Sequence, residues 1–158
     1  MPPRRRRPLD TRLPGYAWNI ERLNNPITGE HITLLESGDE PLRLELELRP
    51  LGAPGGFVHR HAVAERFEVR SGDLLAFQKG RGWRRIGPGD VVEVPAGAWH
   101  MVLALKRSTA HVVVQPPRHF ADVLRCSCAV ATGDVRPATL RRLNDVLREH
   151  DCVPRLAP

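Results

Sequence analysis

The sequence predicts an all-β domain, a sandwich or barrel of short strands with a short helical extension behind it. Three observations carry that expectation. In LRLELELRP, Leu42, Leu44, Leu46 and Leu48 alternate with charged residues, the period-2 pattern of a half-buried strand. Short apolar stretches then recur as far as residue 115, separated by Gly- and Pro-containing turns of the kind hairpins require. The alternation stops at Pro116-Pro117, and the segment beyond it has helical periodicity.

Taken in order, residues 1–15 read as a basic arm. Residues 1–12 hold five arginines and one aspartate, a net +4 out of the +6 of all 158 residues. The Pro-flanked run Arg4 to Arg7 is a solvated charge block. The remaining 146 residues carry only +2, so nucleic acid is not the expected partner. The barrel is expected over residues 16–116. It begins with WNIERLNNPITGEHITLLES, where short apolar stretches mix with turn signals at Asn25-Pro26 and Thr28-Gly29. After strand 42–48 the loop PLGAPGG intervenes. Strands are then expected at 57–62, 65–70, 74–79, 83–86, 90–94, 99–105 and 109–115. Gly72-Asp73, Gly80 to Gly82 and Gly87-Pro88-Gly89 separate several of them.

Residues 117–158 form the helical extension. RHFADVLRCSCAVA is closed by Gly133, and Pro137 opens PATLRRLNDVLREH, fitting the first helical position where its missing N–H is not needed. Leu140, Leu143, Val146 and Leu147 fall on one face of the second helix. Two such helices cannot fold alone, so they must pack on the barrel or on a partner subunit.

A chain of 158 residues suits one domain with its own core. No apolar run reaches the length of a membrane span, and the basic start lacks the apolar segment of a secretory signal. Cys126, Cys128 and Cys152 are odd in number and clustered near the C-terminus. That pattern implies free thiols in a reducing cytoplasm rather than a disulfide framework.

The stretch HRHAVAE, residues 59–65, raises the question of a site. Parity on strand 65–70 puts Glu65 on one face with Phe67 and Val69, and Arg66, Glu68 and Arg70 on the other. The apolar face must be the inner one, so Glu65 points inward. The same parity groups Phe57, His59 and His61. A bare carboxylate in an apolar interior costs several kcal/mol, and the nearby arginines 60, 66 and 70 alternate outward. A divalent cation held by imidazoles and Glu65 resolves that cost. A strand end in water with surface histidines resolves it equally, so the spacing leaves both readings open. His100 lies in PAGAWHMVLAL, where both faces are apolar. Periodicity therefore does not orient it.

The order of a second block resembles something more specific. Gly52 or Gly55, His59-x-His61, Glu65 and Gly72 are followed, sixteen residues on, by Gly89, Pro95-x-Gly97 and His100. Both halves resemble the paired motifs of the cupin superfamily, over about residues 52–104. That resemblance implies a double-stranded β-helix, the jelly-roll barrel. It places His59, His61, Glu65 and His100 at four metal-ligand positions and implies a divalent transition metal (Fe, Mn, Ni, Co or Zn). It further implies a small-molecule substrate, an enzyme of dioxygenase or isomerase/lyase type, and a homodimer. The alternative is a non-catalytic ligand-binding or sensor barrel. Two departures stand out. The opening glycine is offset, and Ala104 occupies a position where the family commonly has asparagine. His111 is the candidate general acid or base. Gln78 is read as inward-facing, and Phe57, Phe67, Phe77 and Trp99 as pocket or core aromatics. His31, His119 and His150 lie outside the motifs and are expected to have no part at the metal.

Overall fold

The computed structural model describes residues 18–37, 40–117 and 120–154; the basic arm and His119 lie outside them. Eleven strands fall in the described residues: β1 (Asn19–Asn25), β2 (Glu30–Glu36), β3 (Leu42–Leu48), β4 (His59–Arg60), β5 (Ala64–Ser71), β6 (Leu74–Gln78), β7 (Gly82–Ile86), β8 (Val91–Val94), β9 (His100–Ala104), β10 (Ser108–Gln115) and β11 (Val153–Pro154). Helices α1 (Phe120–Ala131) and α2 (Pro137–Glu149) lie between β10 and β11. The strands form two antiparallel sheets, ordered β1-β2-β3-β10-β5-β8 and β11-β4-β9-β6-β7.

The period-2 pattern decides which side chains enter the barrel. Leu42, Leu44, Leu46 and Leu48 are all buried, as are Phe67 and Val69 on β5 and Val112 and Val114 on β10. Leu74, Ala76, Val102 and Ala104 supply the inner face of the second sheet, so one apolar cluster joins both sheets. Burial of this surface, at about 25 cal/mol per Å², is the main force holding the sheets together. At Gly72 the chain turns from β5 to β6 with φ +96°. A Cβ there would collide with the Ser108 hydroxyl, so only glycine fits.

Sequence parity anticipated less of the stretch before residue 42, which holds two full strands in register (Asn19 opposite Glu36 through Asn25 opposite Glu30). The expected strand 57–62 is only two residues long, because glycines and a proline on one side and the departure to β5 on the other leave little extended chain. The helices add Phe120, Ala121, Val123, Cys128 and Val146 to the barrel's own core cluster. No helix among the described residues is long and apolar enough to cross a membrane.

Charge ties α1 to the strand layer. The Arg125 Nε donates to Glu21 at 2.6 Å, one Nη to Asp122 at 3.2 Å, and the other Nη to Glu36. One guanidinium thus serves carboxylates on β1, β2 and its own helix. Arg125→Met removes the shared partner of Glu21 and Glu36, while Asp122 keeps Arg142. The substitution is expected to lower stability by about 1–2 kcal/mol, read as a lower urea midpoint at unchanged m-value.

Candidate metal centre

Both sheets contribute to one cluster at the barrel interior. β4 and β9 pair so that His59 stands opposite His100, and β6 on the far side places Gln78 opposite His100. Cross-strand partners share a face, so the orientation of His100 that periodicity left open is inward; it is 4% exposed. Gln78 lies on that same face. β5 of the other sheet brings Glu65 in, on the parity read from the sequence. His61 lies in the short segment between β4 and β5. That segment is pinned by Gly97 N–H donating to the His61 carbonyl and Ala62 N–H donating to the His150 carbonyl.

The ring nitrogens carry the chemistry. Each Nδ1 lies against a backbone carbonyl: His59 on Phe57 at 2.9 Å, His61 on Val63 at 2.8 Å, His100 on Ala98 at 2.9 Å. A carbonyl only accepts, so each Nδ1 carries a proton and donates it. In the neutral ring the lone pair is then on Nε2. The Nε2 atoms of His61 and His100 are buried without a directed hydrogen bond. They lie 3.3 and 3.6 Å from the two Glu65 oxygens. One nitrogen from each of His59, His61 and His100 lies within 4.8 Å of the others. Two nitrogens bonded to one ion at about 2.1 Å each stand at most about 4.2 Å apart, so small ring rotations suffice to bring all three onto a cation. The donor set fits a divalent transition metal.

The charge state agrees. Burial, reinforced by His100, pushes His59 down to about 4, so that ring is neutral. Burial would raise Glu65, but His100 and His61 outweigh it and hold the carboxyl well below the usual range. Burial also opposes the His61 imidazolium, yet Glu65 beside it wins and the ring sits above its ordinary value. In a metal-free barrel a proton on His61 therefore balances Glu65, at the place where a cation would do the same.

Two walls close the site. From the loop before β4, Gly55 (φ +73°) passes so near that a Cβ would run into the His59 ring. From α1, Phe120 packs edge-on against His61 (centroids 5.3 Å) and against His150 (5.5 Å). Between them lies a cavity of about 70 Å³, lined by His59, Glu65, His100 and Phe67 among others. Glu30 also lines it.

Several sequence expectations need correction. His111 alternates with the cavity-lining Val112, so it occupies the outer face of β10. There its Nδ1 lies 3.5 Å from Arg70, and it cannot act at this centre. Phe57 is 77% exposed, because the chain before β4 is not a strand and parity does not extend to it. Of the four aromatics only Phe67 lines the cavity; Phe77 packs on Trp83, and Trp99 lies under Arg60 at 5.2 Å. His150 is 1% exposed and backs Phe120, so it supports the site although it lies outside the motifs. Cys126, Cys128 and Cys152 are free thiols, and burial pushes the last two up to about 12.

Sequence reasoning missed Glu30. It is 4% exposed, and burial, only partly offset by a hydrogen bond with Thr28 and reinforced by Glu65, pushes its carboxyl up to about 7. The signal was present: in EHITLLE, Glu30 shares parity with Ile32 and Leu34, both buried.

No protein-family model matches the sequence, and no curated protein matches it at a significant level. Solved structures do match. An RmlC-like cupin from Shewanella frigidimarina superposes with a TM-score of 0.57 at 18% identity, over 65% of this chain and 88% of its own. KdgF from a Halomonas species gives 0.55 at 19%, over 66% and 90%. The Bacillus subtilis oxalate decarboxylase, which has Mn(II) centres, gives 0.52 at 17%, over 61% of this chain and 27% of its own. At these identities the likeness is one of fold: the chain is a cupin-type jelly-roll barrel with a short C-terminal helical part.

Proposed function

We propose, from this cupin fold, that the chain is a metal-dependent enzyme acting on a small oxygen-bearing molecule. His59, His61, Glu65 and His100 would hold one divalent transition metal: iron, manganese, nickel, cobalt or zinc. The observation that carries the reading is the shared arrangement: three imidazoles with Nδ1–H committed to carbonyls, one nitrogen of each within 4.8 Å of the others, and the Nε2 atoms of His61 and His100 beside the Glu65 carboxylate. Surface histidines have no reason to share that arrangement, whereas metal-ligating ones nearly always have such a partner.

Bound there, the metal would supply Lewis acidity, or electrons where it is redox-active. The protein's part is to fix the ligand rings and exclude water. The absence of thiolate from the set favours harder divalent ions over copper(I). Isomerase, lyase, decarboxylase and dioxygenase chemistry all suit three imidazoles and a carboxylate, and the cavity of about 70 Å³ suits a substrate, or the reacting end of one, of only a few heavy atoms. We place the protein in the cytoplasm.

The test is elemental analysis of tag-free protein beside His100→Ala. About one equivalent of metal per chain is expected, lost in the variant. Protein that takes up no metal even on anaerobic reconstitution overturns the reading and leaves a metal-free ligand-binding barrel in its place.

A further inference from the structure

Glu30 enters the cavity from β2, which belongs to the same sheet as β5, the strand that carries Glu65. It is not one of the converging ligand residues. It is nevertheless nearly fully buried, and no salt bridge among the described residues pairs it with a base. Most of the cavity lining around it is apolar (Ile32, Leu44, Leu46 and Val112 among others), and its one polar side-chain partner, the Thr28 hydroxyl, does not offset the burial. A carboxyl in such company is retained for what it does to an occupant, because an apolar residue would pack there without the desolvation penalty.

The charges around the cavity say which occupant. Among the described residues that line it there is no lysine or arginine. A divalent ion carries two positive charges, and Glu65 and an ionised Glu30 together cancel both. An anionic ligand would then enter with nothing left to neutralise it, in surroundings where charge is poorly screened. An uncharged one would instead find the ion at one end and a hydrogen-bonding carboxyl within the same small space.

We propose that Glu30 is the specificity-determining residue of this cavity, selecting an uncharged hydroxyl- or carbonyl-bearing molecule and rejecting carboxylate-bearing ones of the same shape. This rests on the metal reading above and adds the substrate class to it.

The test uses the full chain loaded with cobalt(II), whose visible absorption reports ligands on the ion. Two probes of similar shape are titrated at pH 9, where Glu30 is ionised: neutral hydroxyacetone and anionic glycolate. Glu30→Gln and Glu30→Leu are each expected to tighten glycolate binding by about tenfold or more. Hydroxyacetone should stay level or weaken. A ratio of the two affinities that is unchanged in both variants, with cobalt bound, overturns the role of Glu30 alone. Failure of the unmodified protein to take up cobalt overturns the metal reading and this inference with it. If one variant does not fold, the other gives the same readout.

Discussion

His61→Ala is expected to weaken zinc binding by at least about a thousandfold, about 4 kcal/mol, and to change how the binding depends on pH. His61 is the most buried of the three rings and the closest to Glu65. Its Nδ1–H is fixed by the Val63 carbonyl. Alanine removes a proposed ligand. The pH dependence comes from linkage. Glu65 holds the His61 proton above its ordinary value, and a protonated ring cannot ligate. Metal must displace that proton, so affinity in the unmodified protein rises with pH until His61 is neutral and is level beyond. Below that point each pH unit costs about tenfold for the one proton. Calorimetric titration in two buffers of different ionisation enthalpy should detect proton release in the unmodified protein and much less in the variant. Equal affinity and equal proton release would remove His61 from the site. The variant should keep its sheet signal in circular dichroism at a lower melting temperature, since Glu65 loses its nearest partner.

How much of this centre was legible depended on whether a residue lay on a regular strand. Glu65 was readable because β5 alternates cleanly and puts it with Phe67 and Val69. Glu30 obeyed the same rule on β2, and only the turn-rich look of the preceding residues hid it. His100 was not orientable, since Met101 and Val102 are both apolar and only the pairing with β4 and β6 fixes its face. That pairing is long-range and leaves no local trace. Phe57 misled because parity was carried past the end of a two-residue strand. His111 was placed correctly beside Val113, but which face of β10 is inner depends on what β3 and β5 bury. Phe120 and His150 belong to the helical segment, where a sequence reveals periodicity but not the point of docking. The four ligand candidates were therefore assembled through resemblance to cupin motifs, with parity turning Glu65 inward and grouping His59 with His61 but leaving His100 open.

The second large effect concerns stability and has a sign that separates it from ordinary core damage. Glu30→Gln is expected to stabilise the metal-free protein at pH 8 by up to about 3 kcal/mol and to change it little at pH 4. The buried carboxyl is pushed from the ordinary 4.5 to about 7 by burial, which outweighs an opposing hydrogen bond with Thr28 and is reinforced by Glu65. Below pH 4.5 the group is protonated in both folded and unfolded chains and contributes nothing to the pH dependence. Between 4.5 and 7 the unfolded chain ionises freely while the folded one resists, so stability falls as pH rises. Above 7 both states are ionised and the full penalty is in place, each pH unit of the interval being worth about 1.4 kcal/mol. Glutamine keeps the size and hydrogen-bonding capacity of the side chain without the charge, so it removes the penalty only where there is one. Urea unfolding of both proteins across pH 4 to 9 should give curves that meet in acid and separate above neutrality. Curves that stay parallel would mean that Glu30 is solvated in the folded state. A destabilising carboxyl kept in the cavity wall is the cost in stability that the specificity role proposed for Glu30 would carry.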